Sequence, residues 1–290
     1  MSIRKKFNIR EIVRQELPFF IGVPALVWQA LFLYLPICYL IFLSVTKVEM
    51  GAFVFTFERY ADFFQAPYIR VLIRSLVLAT GNAIICVCVG YPIAYYLAVC
   101  VRRWKSLLLM LLMLPFWTNF LVQVYAWFFV FERQGLLNTI LLHLHIISEP
   151  LYILNTTLAI WIIMMYCYLP FAIMPMYAIL EKFDVRLLEA SYDLGARAWQ
   201  TFLYITLPLS MSGVMTGFFL VFIPSFGEFV VPGLAGGDKQ MFVGSLISHY
   251  FLTAGDEYTG ATFTCLGGIV LAIAALIVRY SMQMMIKRVK

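Results

Sequence analysis

Chemistry has few places to reside in this chain. Of its 15 acidic residues, Glu228 stands out because it interrupts the apolar stretch Leu209 to Val231, close behind Pro224 and Gly227. A charge at the centre of a bilayer costs about 2.5–3.5 kcal/mol on insertion scales, so it normally faces a cavity or a partner. A carboxylate there suits a cation in transit. It equally suits a position near the outer interface, paired with a backbone amide or an arginine. Aromatic faces hold cations at about 0.5–2 kcal/mol each, and Trp117, Tyr125, Trp127, Tyr166 and Tyr168 are the candidate rings. Trp and Tyr also populate membrane interfaces for unrelated reasons.

Other constellations are missing. His143 and His145 are two apart and do not share a helix face. With His249 they complete the histidines, and no carboxylate or cysteine pattern adds up to a metal set. The six cysteines lie in or at the ends of apolar stretches without a CxxC pair, and they read as small packing residues. There is no nucleophile–base set, so no catalytic residue is assigned and the chain is not read as an enzyme. Nor is there a G-x-x-x-x-G-K-[ST] loop. Gly236-Gly237-Asp238-Lys239 has neither the spacing nor the hydroxyl residue.

The elements that must position Glu228 follow from composition. The chain has 290 residues, 63% of them hydrophobic and 12% charged, against about half and a quarter in soluble domains. Its net charge of +6 sits beside long apolar runs and forms no surface stripe, which excludes nucleic acid as a partner. A helix crossing a hydrocarbon core needs about 20 apolar residues. Six stretches qualify, near 19–45, 72–101, 107–131, 154–180, 209–231 and 261–286. Helices are the default in lipid because an open strand edge would leave backbone groups unpaired. The expectation is an all-α integral membrane protein with six transmembrane helices. Its tail, residues 1–18, is polar and basic and is read as uncleaved. A transmembrane domain spans 19–286, with a loop at 181–208, and residues 287–290 form the other tail.

Placing both termini in the cytoplasm puts 15 of the 21 Lys and Arg on that side: Arg4, Lys5, Lys6, Arg10, Arg14, Arg102, Arg103, Lys105, Lys182, Arg186, Arg197, Arg279, Lys287, Arg288 and Lys290. Such an excess is the mark of the cytoplasmic face. Pro24, Pro36, Pro92, Pro115, Pro170, Pro175 and Pro224 fall in the spans, and proline kinks a helix by removing a donor. Gly213 and Gly217 make a small-xxx-small pair that admits close helix approach. So many breaks favour a conduit with moving parts over an anchor.

The loop between the fourth and fifth spans is built to be helical. Asp184 is placed to cap a helix through 185–194, with Leu187, Leu188, Ser191 and Leu194 on one side. Gly195 permits a turn, and a second helix is expected from Ala196 to Thr206 with Ala198, Phe202 and Ile205 at helical spacing. Such a pair suits a lipid surface, the underside of its own bundle, or a groove on a partner. Glu189-Ala190-Ser191, then Gly195, then Ile205, then Leu207-Pro208 resembles the EAA loop of binding-protein-dependent ABC importer permeases, with Ser191 where Ala is usual.

That resemblance implies a coupling helix pair on the cytoplasmic side, moved by a separate ABC ATPase dimer. ATP and Mg2+ would belong to that ATPase, and this chain would bind no cofactor. It also implies a second permease subunit, similar or identical, and a separate extracytoplasmic binding protein. The outer connections 46–71, 132–153 and 232–260 are long enough to receive one. The segments Leu114-Pro115-Phe116-Trp117-Thr118-Asn119, Val124-Tyr125-Ala126-Trp127 and Pro224-Ser225-Phe226-Gly227-Glu228-Phe229 resemble the spermidine/putrescine branch. Gln123 stands where a basic residue is common in that branch. The resemblance implies polyamine import across a bacterial inner membrane. Another small solute, such as an amino acid, iron or an inorganic anion, is the alternative cargo, although Glu228 argues against an anion. A self-sufficient secondary transporter would show ionisable residues on several spans.

Overall fold

The computed structural model describes residues 22–49, 52–101, 103–237 and 240–289, with side chains described as far as residue 284. The basic tail, the start of the first span at Phe19, Arg102, Asp238, Lys239 and the side chains of the C-terminal cluster lie outside the described residues.

In chain order the elements are α1 (Gly22–Ser44), β1 (Thr46–Glu49), β2 (Ala52–Phe55), α2 (Glu58–Asp62), α3 (Ala66–Cys100), α4 (Lys105–Trp117), α5 (Phe120–Phe131), α6 (Leu136–His143) and α7 (Thr157–Leu180). They continue as α8 (Arg186–Asp193), α9 (Ala198–Phe226), α10 (Val230–Ala235), α11 (Val243–Ser248, prolonged by a π-helical His249–Ala254) and α12 (Glu257–Val289). Helices α1, α3, α7, α9 and α12 are each long and apolar enough to cross a membrane, and α4 with α5–α6 makes a sixth crossing if the bent pair is counted as one.

Three helices, α3, α7 and α9, pack on one another to form the centre. Small residues let them approach. A Cβ added at Gly213 would lie 2.8 Å from the carbonyl oxygen of Pro175, and one at Gly217 would lie 2.7 Å from that of Ala172. The small pair on α9 therefore rests on the backbone of α7, as its spacing suggests. Gly90 of α3 meets side chains instead: a Cβ there would lie 3.0 Å from Ile173 Cγ1 and 3.1 Å from Met176 Cε. A buried polar pair crosses the bundle: Asn82 Nδ2 donates to Ser225 Oγ at 2.8 Å, joining α3 to α9. Buried without such partners these groups would cost free energy.

By contrast α1 lies along α12 and buries only Leu43 and Ser44. Its lower end is tied in by Thr262 Oγ1, which donates to the Ser44 carbonyl at 3.0 Å, and by Tyr60, whose hydroxyl donates to Ser44 Oγ at 2.9 Å. An antiparallel β1–β2 hairpin, pairing Thr46 with Phe55, follows directly.

Three expectations are corrected. The third span is not one rod: α4 and α5–α6 meet at 93°. Pro115 weakens the last turn of α4, Thr118 and Asn119 are extended, and Asn119 Oδ1 accepts from the Leu121 N–H at 2.9 Å to start α5. The fifth span ends at Phe226, so Glu228 lies in the break before α10 and not within a span. The second loop helix is not separate either. Ala198–Thr201 passes through a π-helical turn, Phe202–Thr206, straight into the fifth span, with Pro208 in the first turn of the α-helical part.

Candidate functional site

Glu228 is 8% exposed and fully engaged within the chain. Tyr168 on α7 donates its hydroxyl to Oε2 at 2.6 Å. Oε1 accepts the backbone N–H groups of Val230 at 2.9 Å and Val231 at 3.3 Å. The carboxylate thereby satisfies the free donors at the start of α10 and fastens that helix to α7. Among the described residues no Lys or Arg forms an ion pair with it. The backbone-amide reading of Glu228 is thus what the geometry displays, while its charge remains without a cation. Close backbone approach holds the break: a Cβ at Gly244 would lie 2.2 Å from the Gly227 carbonyl oxygen. Val243 N–H donates to Ser75 Oγ at 2.8 Å, which sets α11 against α3.

Consecutive residues of α7 reach three partners. Tyr166 meets the Trp127 ring edge-on, with centroids 5.4 Å apart. Cys167 Sγ lies 3.7 Å from Gln123 Oε1, and Tyr168 holds Glu228. The Gln123 amide donates to the Pro115 carbonyl and, at 2.6 Å, to Thr118 Oγ1. The same carbonyl also accepts the Thr118 N–H at 3.2 Å and the Thr118 hydroxyl at 2.8 Å, so Gln123 adds a donor from α5 to the bend. Two cavities flank this amide. One, about 200 Å³, is lined by Pro115, Phe116, Phe120 and Phe171 together with Thr118, Gln123 and Cys167. The other, about 410 Å³, includes Trp127 and Tyr166 and shares Thr118 and Gln123. Of the predicted rings, Trp127 and Tyr166 are therefore brought together. Trp117, 73% exposed, and Tyr125, 50% exposed, line neither cavity. Sequence reasoning named Thr118 and Gln123 only as parts of the branch-like segment and did not count them among the pathway residues. The signal was available, since Thr-Asn before an apolar run is a helix-start pattern.

The loop after α7 begins at a polar knot. Glu181 Oε1 lies 3.0 Å from Lys105 Nζ and accepts the Tyr177 hydroxyl at 2.7 Å. These hydrogen bonds, that from Tyr177 foremost, hold the Glu181 carboxyl below its ordinary range. Asp184 Oδ1 accepts the Arg186 N–H at 3.0 Å and caps α8. At the other end Gly195 takes φ +81°, Ala196 N–H donates to Ser191 O at 3.0 Å, and Gly195 N–H donates to Tyr192 O at 2.9 Å. That is a Schellman closure, which needs a left-handed residue where this chain has glycine. The expected apolar side is only half buried: Leu188 and Ser191 point inward, whereas Leu187 is exposed and Leu194 is 89% exposed. Glu189 and Ala190 are exposed as well. Ile205 is half-buried, and Leu207 and Pro208 begin the long apolar part of α9.

Comparison with known proteins places this arrangement. The family described as "Binding-protein-dependent transport system inner membrane component" matches residues 90–290. The spermidine/putrescine transport system permease protein PotB of Salmonella typhimurium is 38% identical over 265 residues, which cover 90% of this chain and 92% of that protein. PotB of Escherichia coli K12 is 37% identical over 266 residues, 91% of this chain and 97% of that protein. The fold is shared with a bacterial ABC transporter involved in import of the acidic polysaccharide alginate. One of its crystal structures superposes with TM-score 0.74 at 14% identity, over 95% of this chain and 98% of that one.

Proposed function

Because the chain belongs to the family of binding-protein-dependent transport system inner membrane components, we propose that it is the permease subunit of an ABC importer carrying polyamines of the spermidine and putrescine class. The observation that carries this reading is near end-to-end similarity to PotB, 37–38% identity over about 90% of the chain. It crosses the inner membrane several times, and the loop around α8 faces the cytoplasm together with both termini. A separate ATPase dimer binds ATP and Mg2+, closes on that loop, and drives alternating access. This chain has no nucleotide site of its own. A second permease subunit completes the pathway, and an extracytoplasmic binding protein delivers the substrate to the end bearing the hairpin, α10 and α11.

The chemistry agrees with a flexible polycation. Glu228 is a buried carboxylate without a cationic partner among the described residues. Trp127 and Tyr166 line a cavity next to the broken third span, and Trp117 and Tyr125 are exposed within the chain. None of these groups cages a cation tightly, as conduction requires. Glu189, Ala190, Ser191, Gly195, Ile205, Leu207 and Pro208 form the coupling loop, with α8 as the part that docks.

The test is reconstitution of the chain with its ATPase, second permease and binding protein, followed by uptake of labelled putrescine and spermidine. ATP-dependent accumulation of a polyamine is expected. Import of a different solute by the same complex would remove the cargo and keep the class. Uptake by this chain alone, driven by an ion gradient, would overturn both.

A further inference from the structure

A line of buried hydroxyls leads from α8 into the centre of the bundle. Ser191 Oγ donates to the Leu188 carbonyl at 2.7 Å, so at its 2.8 Å contact with Thr201 Oγ1 it is the acceptor. Farther along α9, Thr206 Oγ1 reaches back to the Thr201 carbonyl at 3.5 Å. Ser210 Oγ donates to the Thr206 carbonyl at 2.7 Å. Tyr91 of α3 then donates its hydroxyl to Ser210 Oγ at 2.7 Å. All five side chains are at most 7% exposed. Phe202, within the same stretch, stands edge-on to the Tyr91 ring at 5.5 Å.

Apolar side chains would fill these positions without needing partners, whereas a buried hydroxyl costs free energy unless it is bonded. What hydroxyls add is directionality. A hydrogen bond tolerates little change in length or angle, so two elements joined by one move together where methyl contacts would slide. The line also crosses the π-helical turn Phe202–Thr206. Such turns hold one extra residue and occur often at functional sites. The other side of α8 is unattached: Val185, Leu187, Tyr192 and Leu194 are all exposed.

We propose that Thr201, Ser210 and Tyr91, entered through Ser191, form a transmission line that carries displacement of α8 to α3. They are positioning residues and touch neither substrate nor nucleotide. The proposal rests on the reading of α8 as the ATPase-docking helix. A move of α8 pulls the start of α9 through Ser191 and Thr201, the π turn takes up or releases its extra residue, and Ser210 passes the change to Tyr91, beside Pro92 within α3.

The experiment is ATP hydrolysed per polyamine imported, measured on the complete reconstituted importer carrying Thr201→Val, Tyr91→Phe, both together, or Thr201→Ser. Each single variant should raise that ratio about fivefold or more, as loss of one buried hydrogen bond predicts. The double variant should do little worse than the poorer single one, because both cut the same line. Thr201→Ser should restore the wild-type ratio. If hydrolysis and import fall in proportion, or nothing changes, the hydroxyls merely stabilise the fold and the proposal is wrong. Tyr91→Phe decides the matter should Thr201→Val fail to assemble. A wild-type importer that moves no polyamine strikes the cargo reading instead. The line is then read from hydrolysis, which Thr201→Val should free from its dependence on the binding protein and Thr201→Ser should not.

Discussion

Glu228 holds a helix start and offers a charge at once, and the two roles separate by substitution. Glu228→Gln keeps an oxygen for the Val230 and Val231 N–H groups while removing the charge. A hydrogen bond to a charged group is worth about 1.5–3 kcal/mol, so kcat/KM for polyamine uptake should fall about tenfold or more in reconstituted vesicles. Unchanged uptake would reduce Glu228 to a cap for α10. At Gly195 the constraint is backbone and not space, since nothing lies within 4 Å of an added Cβ while φ is +81°. A β-branched residue there is strained by roughly 1–2 kcal/mol or more, but asparagine visits that region routinely. Gly195→Val should therefore uncouple hydrolysis from import and Gly195→Asn should stay near wild type. Equal damage from both would point to side-chain bulk in an assembled interface.

At the scale of elements, α7 and α9 lie as close as they do because glycine lines the contact. A Cβ at Gly217 would sit 2.7 Å from the Ala172 carbonyl, so Gly217→Val forces the helices apart. Overpacking of this kind costs about 1–3 kcal/mol. The midpoint of thermal unfolding in detergent should drop by several degrees. Gly268→Ala, where nothing lies within 4 Å, should leave it in place. A similar fall in both would mean that the close approach is not what holds the pair. The broken third span teaches a related lesson. The apolar run from Leu107 to Phe131 looks continuous by hydropathy, yet Pro115 and the Asn119 cap divide it into two helices at 93°. Hydropathy averages over windows longer than the three residues that decide the bend.

For the whole molecule, the ends of the bundle differ in kind. One bears α8 and the Lys105–Glu181 contact at the foot of α4 and α7. The other bears the β1–β2 hairpin, α10 and α11. The proposed orientation, with both termini cytoplasmic, predicts that in a chain freed of its six native cysteines a single cysteine at Phe57, 71% exposed, reacts with a membrane-impermeant maleimide in intact cells. One at Leu194, 89% exposed, should react only in inside-out vesicles stripped of the ATPase. The reverse labelling pattern would invert the orientation and remove α8 from any cytoplasmic partner. Leu26, Val27, Trp28, Leu31, Phe32 and Leu33 of α1 are all at least half exposed, so this stretch is uncovered on every side within the chain.

Much of this was legible in the chain itself. Uniformly apolar runs of about 20 residues become helices in lipid, because only helices and closed barrels pair their backbone groups there and barrel strands are shorter and alternate in polarity. The spacing Gly213 to Gly217 announced a helix contact, Asp184 a cap and Gly195 a turn, since each is a local demand of backbone geometry. What tertiary structure decided were the partners. Whether Glu228 met an amide, a tyrosine or a cation depended on Tyr168, sixty residues away in sequence. That Ser191 would lean on Thr201, and Ser210 on Tyr91, could not be read from residue types, because a hydroxyl gives no indication of which neighbour it will bond. The inward side of α8 likewise turned out to be Leu188 and Ser191 without Leu187 and Leu194. Periodicity states that a helix has sides, and only its packing fixes which of them is covered.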